Sequence, residues 1–301
     1  MQPVYQKTVL NNGIRIVTEK ISSVRSISIG IWVDVGSRDE SPNESGVSHF
    51  LEHMVFKGTK KRTAKEIAEA LESVGGILNA FTTREQTCYY AHILDEHLPI
   101  AVDVLTDILK NSLLDSNDLE KEKKVIIEEI KDIEDNPSDL IHDIYAKALW
   151  PEHSLGNPVI GSIESVSGFA RQDLTNFMQK HYTSQRVVVA ASGNVKHEQL
   201  VELIEKSLEF NSNKSVSNPS ELPLVKPSKT ILNKKTAQSH VCLGVASYPY
   251  HHPARHVITL LSIILGGGMS SRLFQSVREN SGLAYSIYSF LDFFEDSGTF
   301  G

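Results

Sequence analysis

The chain has 301 residues, a hydrophobic fraction of 40%, a charged fraction of 22% and a formal net charge of −7. The length predicts two domains, no apolar run is long enough to span a bilayer, and the acidic balance argues against nucleic acid as a partner, because phosphate binding relies on a basic surface. A basic peptide suits the charge better. Met1-Gln-Pro-Val-Tyr5 shows no basic stretch leading into an apolar core, so no secretory or transit signal is read there and a cytoplasmic location is expected. Cys88 and Cys242 are far apart and have no Cys-x-x-Cys spacing, which predicts reduced thiols rather than a disulfide framework or a thiolate zinc site.

Asn12-Gly13 between two short strand-like runs predicts a hairpin, because both residues tolerate positive φ. Ile27, Ile29, Ile31, Val33 and Val35 then alternate with smaller or polar residues, the period of a strand with one buried face. A helix is predicted over 47–56, and a second after Thr63, where Thr63-Ala-Lys-Glu66 reads as a capping box and Gly75-Gly76 closes the segment. The β-branched and aromatic stretch 77–94 predicts paired strands. Helices follow at 98–110, 117–134 and 139–149, the last two separated by Asn136-Pro137.

Residues 155–168 read as loop, 172–181 and 198–210 as helices, and 186–191 as a strand. The pattern is α+β. Residues 211–228 have the Asn, Ser, Pro and Lys composition of a linker, so the domains are expected at 1–210 and 229–301. After the linker a strand near 240–246, helices near 254–265 and 271–279 and a strand-like 284–294 repeat the earlier order. This predicts a duplicated fold, each copy a mainly antiparallel sheet packed with helices. The second copy stops at Gly301, before the helices that follow the paired strands in the first, and is expected to be truncated.

Carboxylates concentrate between Asp115 and Asp143, where eleven stand against four lysines, a local excess equal to the whole-chain charge. Most of these side chains fit a solvated helix face.

The chemistry concentrates in His49-Phe-Leu-Glu52-His53. Residues four apart share a helix face, so both imidazoles can reach one metal while Glu52 stands beside them as a free carboxylate, the arrangement of the H-x-x-E-H metallopeptidases. A catalytic zinc takes three protein ligands and keeps a fourth position open. Glu122 and Glu129, two helical turns apart, share a face of the helix at 117–134, and spacing leaves both open as the third. His252 and His256 are also four apart, but Pro253 between them is expected to start a helix and leave His252 outside it. Gly266-Gly-Gly268 lacks a following Gly-Lys-Ser/Thr and reads as a turn.

Several motifs resemble the insulinase and mitochondrial-processing-peptidase family, the M16 metallopeptidases, in their bacterial processing-protease type: Gly46-x-x-His-Phe-Leu-Glu-His-Met54, Gly75-Gly76-x-x-Asn79-Ala80, Val125-Ile-Ile-Glu-Glu129-Ile with Pro137 downstream, and the stretch from Tyr182 to Val195. The resemblance implies one zinc per chain, held by His49, His53 and Glu129, with Glu52 as general base and Glu122 supporting the site from behind the ligands. Ser271-Arg-Leu-Phe with Arg278-Glu-Asn-Ser-Gly-Leu-Ala-Tyr285 resembles the family's second signature, implying that Arg278 and Tyr285 contact substrate. It also implies an extended peptide paired with the strand through Asn79, Ala80 and Phe81. Related members enclose peptide between two two-domain halves, so a homodimer, or a pair with a related subunit, is expected. The expected activity is zinc-dependent endopeptidase cleavage of extended peptides. The alternative is a non-catalytic subunit of the same fold that serves assembly or peptide binding.

Overall fold

The computed structural model describes residues 5–210 and 223–301, so most of the expected linker lies outside the described residues. These residues form two compact units. The first comprises residues 5–132 and 157–210, and the second comprises 133–156 and 223–301.

The first unit is built on a six-stranded sheet. Strands β1 (Tyr5–Val9) and β2 (Arg15–Lys20) form the expected hairpin, with Gly13 at φ +97° in the turn. β3 (Ser26–Val33), β4 (Ile77–Thr82), β5 (Thr87–Leu94) and β6 (Val187–Gly193) complete the order β1-β2-β6-β3-β5-β4. Every pairing is antiparallel except β2 with β6. Register aligns Ile16, Val189, Ile31, Tyr89 and Ala80 in one row across five strands, all buried, because period-two alternation sends matched positions to one face. The opposite face carries a shallow groove of about 540 Å³ lined by Val17, Trp32, Phe81, Tyr90 and His92, among others.

Helices cover the buried face. α1 (Val47–Val55) buries Val47, Phe50, Leu51, Met54 and Val55, and leaves His49, Glu52 and His53 half-buried on its other side. A fully buried Leu or Phe contributes about 1.5–3 kcal/mol relative to exposure, so this face fixes the rotation of α1 and therefore the direction of its polar side. α2 (Ala64–Glu72) starts at the expected capping box, with Glu66 N donating to Thr63 Oγ1 and Thr63 N to the Glu66 carboxylate. α3 (Leu98–Asn111) packs against β5 and β3, and α4 (Ser116–Asp135) buries Leu119, Glu122, Ile126 and Ile130.

The sequence predicts helix 139–149, and α5 (Pro137–Leu149) begins two residues earlier because Asn136 caps it and Pro137 occupies the first turn, where no N–H is required. The expectation of loop over 155–168 is corrected at its end by α6 (Ile163–Gly168), capped reciprocally by Ser162 and Ser165 and too short to show an apolar period. α7 (Arg171–His181) and α8 (His197–Ser207) complete the first unit.

The second unit has a three-stranded antiparallel sheet, β7 (Val245–Ser247), β8 (Leu291–Phe293) and β9 (Gly298–Phe300), in the order β7-β9-β8, together with α5 and α9 (Arg255–Gly266). Its core gathers Leu149, Trp150, Leu155 and Phe294, and the Tyr145 hydroxyl bonds Thr299. The helix expected at 271–279 is a π-helix over Phe274–Asn280, and of the strand-like stretch 284–294 only Leu291–Phe293 forms a strand, with Phe290 beside it exchanging backbone hydrogen bonds with Gly301. Among the described residues, no helix is long and apolar enough to cross a membrane.

Candidate metal centre

α1 begins at Gly46, whose φ of +92° lies in the left-handed region. A Cβ there would also stand 2.6 Å from the Ile160 carbonyl oxygen, so only glycine fits the entry. No side chain of Gly46 can cap the helix. Glu40 does so instead, accepting Gly46 N–H at 2.7 Å and Ser48 N–H at 2.9 Å. Burial pushes the Glu40 carboxyl up to about 7, opposed by those two donors.

One turn into α1, the rings of His49 and His53 stand with centroids 4.7 Å apart. Glu129 arrives from α4, with Oε1 3.8 Å from His49 Nε2 and Oε2 3.7 Å from His53 Nε2. Single donor atoms of His49, His53 and Glu129 all lie within 4.8 Å of one another. These separations exceed a hydrogen bond and suit donors arranged around one ion, since ligands about 2 Å from a tetrahedral zinc are roughly 3.4 Å apart. Burial pushes His49 down to about 4, reinforced by His53, so its imidazole is a neutral lone-pair donor near pH 7. His49 Nδ1 is buried without a hydrogen-bond partner among the described residues.

Glu122 does not join this trio. Its Oε2 is 3.2 Å from His53 Nδ1 and its Oε1 accepts Lys57 Nζ at 2.7 Å. A carboxylate on Nδ1 fixes the tautomer that leaves Nε2 free as a ligand. The fold thus separates two acids that share one helix face: Glu129 meets the imidazole Nε2 atoms and Glu122 meets the far nitrogen of His53.

Glu52 lies beside the pair. Burial pushes its carboxyl up, the Thr82 hydroxyl and His53 pull it down, and Glu129 adds to the rise. Thr82 Oγ1 donates to Glu52 Oε2 at 2.5 Å.

Asn79, Ala80 and Phe81 lie on β4, which ends the sheet and is an edge strand, with Ala80 N–H bonded to Asn79 Oδ1 at 2.8 Å. Arg278 and Tyr285 belong to the second unit, where the Arg278 guanidinium stands 4.5 Å over the Phe274 ring and 5.6 Å over the Tyr285 ring. Tyr285 is 82% exposed. Sequence reasoning missed Glu40, Lys57 and Thr82. Lys57 sits one turn beyond His53 and could have been found by spacing. The other two depend on packing that no local pattern encodes.

Comparison with known proteins gives a consistent picture. The family model described as insulinase (peptidase family M16) matches residues 15–162, and that described as peptidase M16 inactive domain matches residues 168–301. The chain is 46% identical over 287 residues to the uncharacterized zinc protease YmxG of Bacillus subtilis, covering 95% of this chain and 70% of that protein. It is 43% identical over 306 residues to the uncharacterized zinc protease SCO5738 of Streptomyces coelicolor, covering 98% of this chain and 66% of that protein. A crystal structure of a protease from Helicobacter pylori superposes with a TM-score of 0.89 at 23% identity, over 99% of this chain and 74% of that one. At that identity the likeness speaks for the fold.

Proposed function

This chain belongs to the insulinase family, peptidase family M16, and on that premise we propose that it is a zinc-dependent endopeptidase acting on extended peptides. The observation that carries the reading is the convergence of His49, His53 and Glu129 with Glu52 beside them on α1. The relatives' names supply zinc, and two imidazoles with one carboxylate are a donor set that zinc accepts.

When bound, zinc supplies a Lewis acid that polarises a carbonyl and brings the pKa of a bound water toward neutrality. Glu52 takes the proton from the attacking water and returns it to the leaving amine. Glu122 keeps His53 in the tautomer whose Nε2 faces the centre. The edge of β4 at Asn79, Ala80 and Phe81 pairs with the peptide backbone. Arg278 and Tyr285 contact the peptide and donate to the developing oxyanion, and the active unit is a homodimer or a pair with a related subunit.

Metal analysis combined with cleavage of a quenched fluorescent peptide tests the reading. One zinc per chain and chelator-sensitive hydrolysis are expected. A zinc-loaded full-length protein that binds peptides and cleaves none would favour the non-catalytic alternative.

A further inference from the structure

The hydrogen bond from Thr82 to Glu52 joins two elements that do different jobs. Glu52 belongs to α1, which presents the two histidines. Thr82 is the last residue of β4, the edge strand. By strand alternation Ala80 and Thr82 face the helix layer, while Asn79 and Phe81 face the other side.

Thr82 is itself held firmly. It pairs with Thr87 on β5, whose buried hydroxyl donates to the Val35 carbonyl at 2.9 Å, and the hairpin closes immediately beyond it with Thr83 N–H donating to Gln86 O at 2.7 Å. The hydroxyl is thus a fixed point in the sheet, whereas the Glu52 side chain is long and has several rotamers open to it.

We propose that Thr82 is a positioning residue for the general base: its hydroxyl ties Oε2 of Glu52 to the edge strand and leaves Oε1 free to take the proton. The inference rests on the proposed function. A peptide paired with β4 is then in fixed register with Thr82, and through it with the base. Binding strand and proton acceptor share one rigid reference, and small misplacements of reacting groups are costly in rate. The Thr82 hydroxyl also satisfies a largely buried carboxylate oxygen, so the orientation that serves catalysis is the one that desolvation selects.

The test compares Thr82→Val, which keeps the shape and loses the hydroxyl, with Thr82→Ser, which keeps the hydroxyl and loses the methyl. Both are measured in the full-length protein beside Glu52→Gln, reading kcat, KM, zinc content and melting temperature. Thr82→Val is expected to lower kcat by about 10- to 100-fold, the range for lost orienting partners, with KM and zinc content unchanged, and Thr82→Ser is expected to restore kcat to nearly the wild-type value. A packing role would give the reverse ranking. That ranking, equal losses in both variants, or a loss confined to KM or zinc content would overturn the inference. Should Thr82→Val not fold, Thr82→Ala against Thr82→Ser makes the same comparison, since those two differ only in the hydroxyl. An active Glu52→Gln enzyme would sink the assignment of the base itself, whereas an inactive Glu52→Gln beside a fully active Thr82→Val would sink only the role of Thr82.

Discussion

Glu40 accepts the amide hydrogen of Ser48, the residue immediately before His49, at 2.9 Å. Together with its bond to Gly46 this makes a buried carboxylate the cap of the helix that carries the histidine pair. Burial outweighs the two donors and holds the folded-state pKa near 7, above the ordinary 4.5. For a raised carboxylate the linkage sign is negative: from about pH 4.5 to 7 the unfolded chain has released the proton and the folded chain retains it. The stability due to this group is therefore fully present below pH 4.5 and lost as pH rises through 7. The total is on the order of 3 kcal/mol. Glu40→Gln, which mimics the protonated form, should lack this component. Melting curves of both proteins should diverge between pH 4.5 and 7, with the wild type falling relative to the variant and the gap constant above. A constant gap across the whole range would contradict the raised pKa.

Glu129 and Glu122 differ in what they touch, and metal titration should separate them. Glu129 is 44% exposed and faces both imidazole Nε2 atoms, whereas Glu122 is 9% exposed between His53 Nδ1 and Lys57. Glu129→Gln removes a proposed ligand. Glu122→Gln removes an orienting partner and should cost about 10- to 100-fold in zinc affinity. The Glu129 variant is expected to lose more than that, and the opposite order would exchange the two roles.

Glu52→Gln preserves the shape of the side chain and its contact with Thr82 while removing the proposed proton acceptor. Turnover should fall by at least roughly a hundredfold, as expected for loss of general-base catalysis, with zinc content intact. A zinc-replete variant with wild-type turnover would exclude Glu52 as the base.

The parts of this fold that are legible in the sequence are those governed by local geometry. The His49, Glu52 and His53 cluster follows from helical spacing, the β1–β2 turn from Asn12-Gly13, and the α2 start from Thr63 and Glu66. Spacing could not divide Glu122 from Glu129, because both lie on one face of α4. The distinction arises only in packing, where Lys57, just beyond the end of α1, claims one of them. Glu40 is similarly invisible: it caps α1 at Gly46, six residues downstream, whereas the readable capping box between them, Ser41 with Glu44, belongs to a separate 3-10 turn. α5 follows α4 in sequence after a single capped break, yet clusters with residues 223–301, because Trp150 and Tyr145 find Phe294 and Thr299 there. Chain order carries no signal of that exchange.

Arg278 packs over Phe274 and Tyr285, which orients the pair, and Tyr285 remains 82% exposed, so its phenol is available to a ligand. If the active unit is a two-fold dimer in which each copy lends this pair to the other copy's centre, the residues of one site are divided between two chains. Mixing full-length Arg278→Ala/Tyr285→Phe protein with full-length Glu52→Gln protein examines that division. Each homodimer lacks one essential component and should be inactive. After free subunit exchange half of the dimers are mixed, and each mixed dimer has one complete site, with Glu52 from the first chain and Arg278 and Tyr285 from the second. Activity should then recover to about one quarter of the wild-type value, following the statistics of random pairing in a closed dimer. If the pair serves its own chain's centre, neither chain can complete a site and activity stays at background, even with exchange verified by a labelled subunit. Background activity after verified exchange would rule out the shared site.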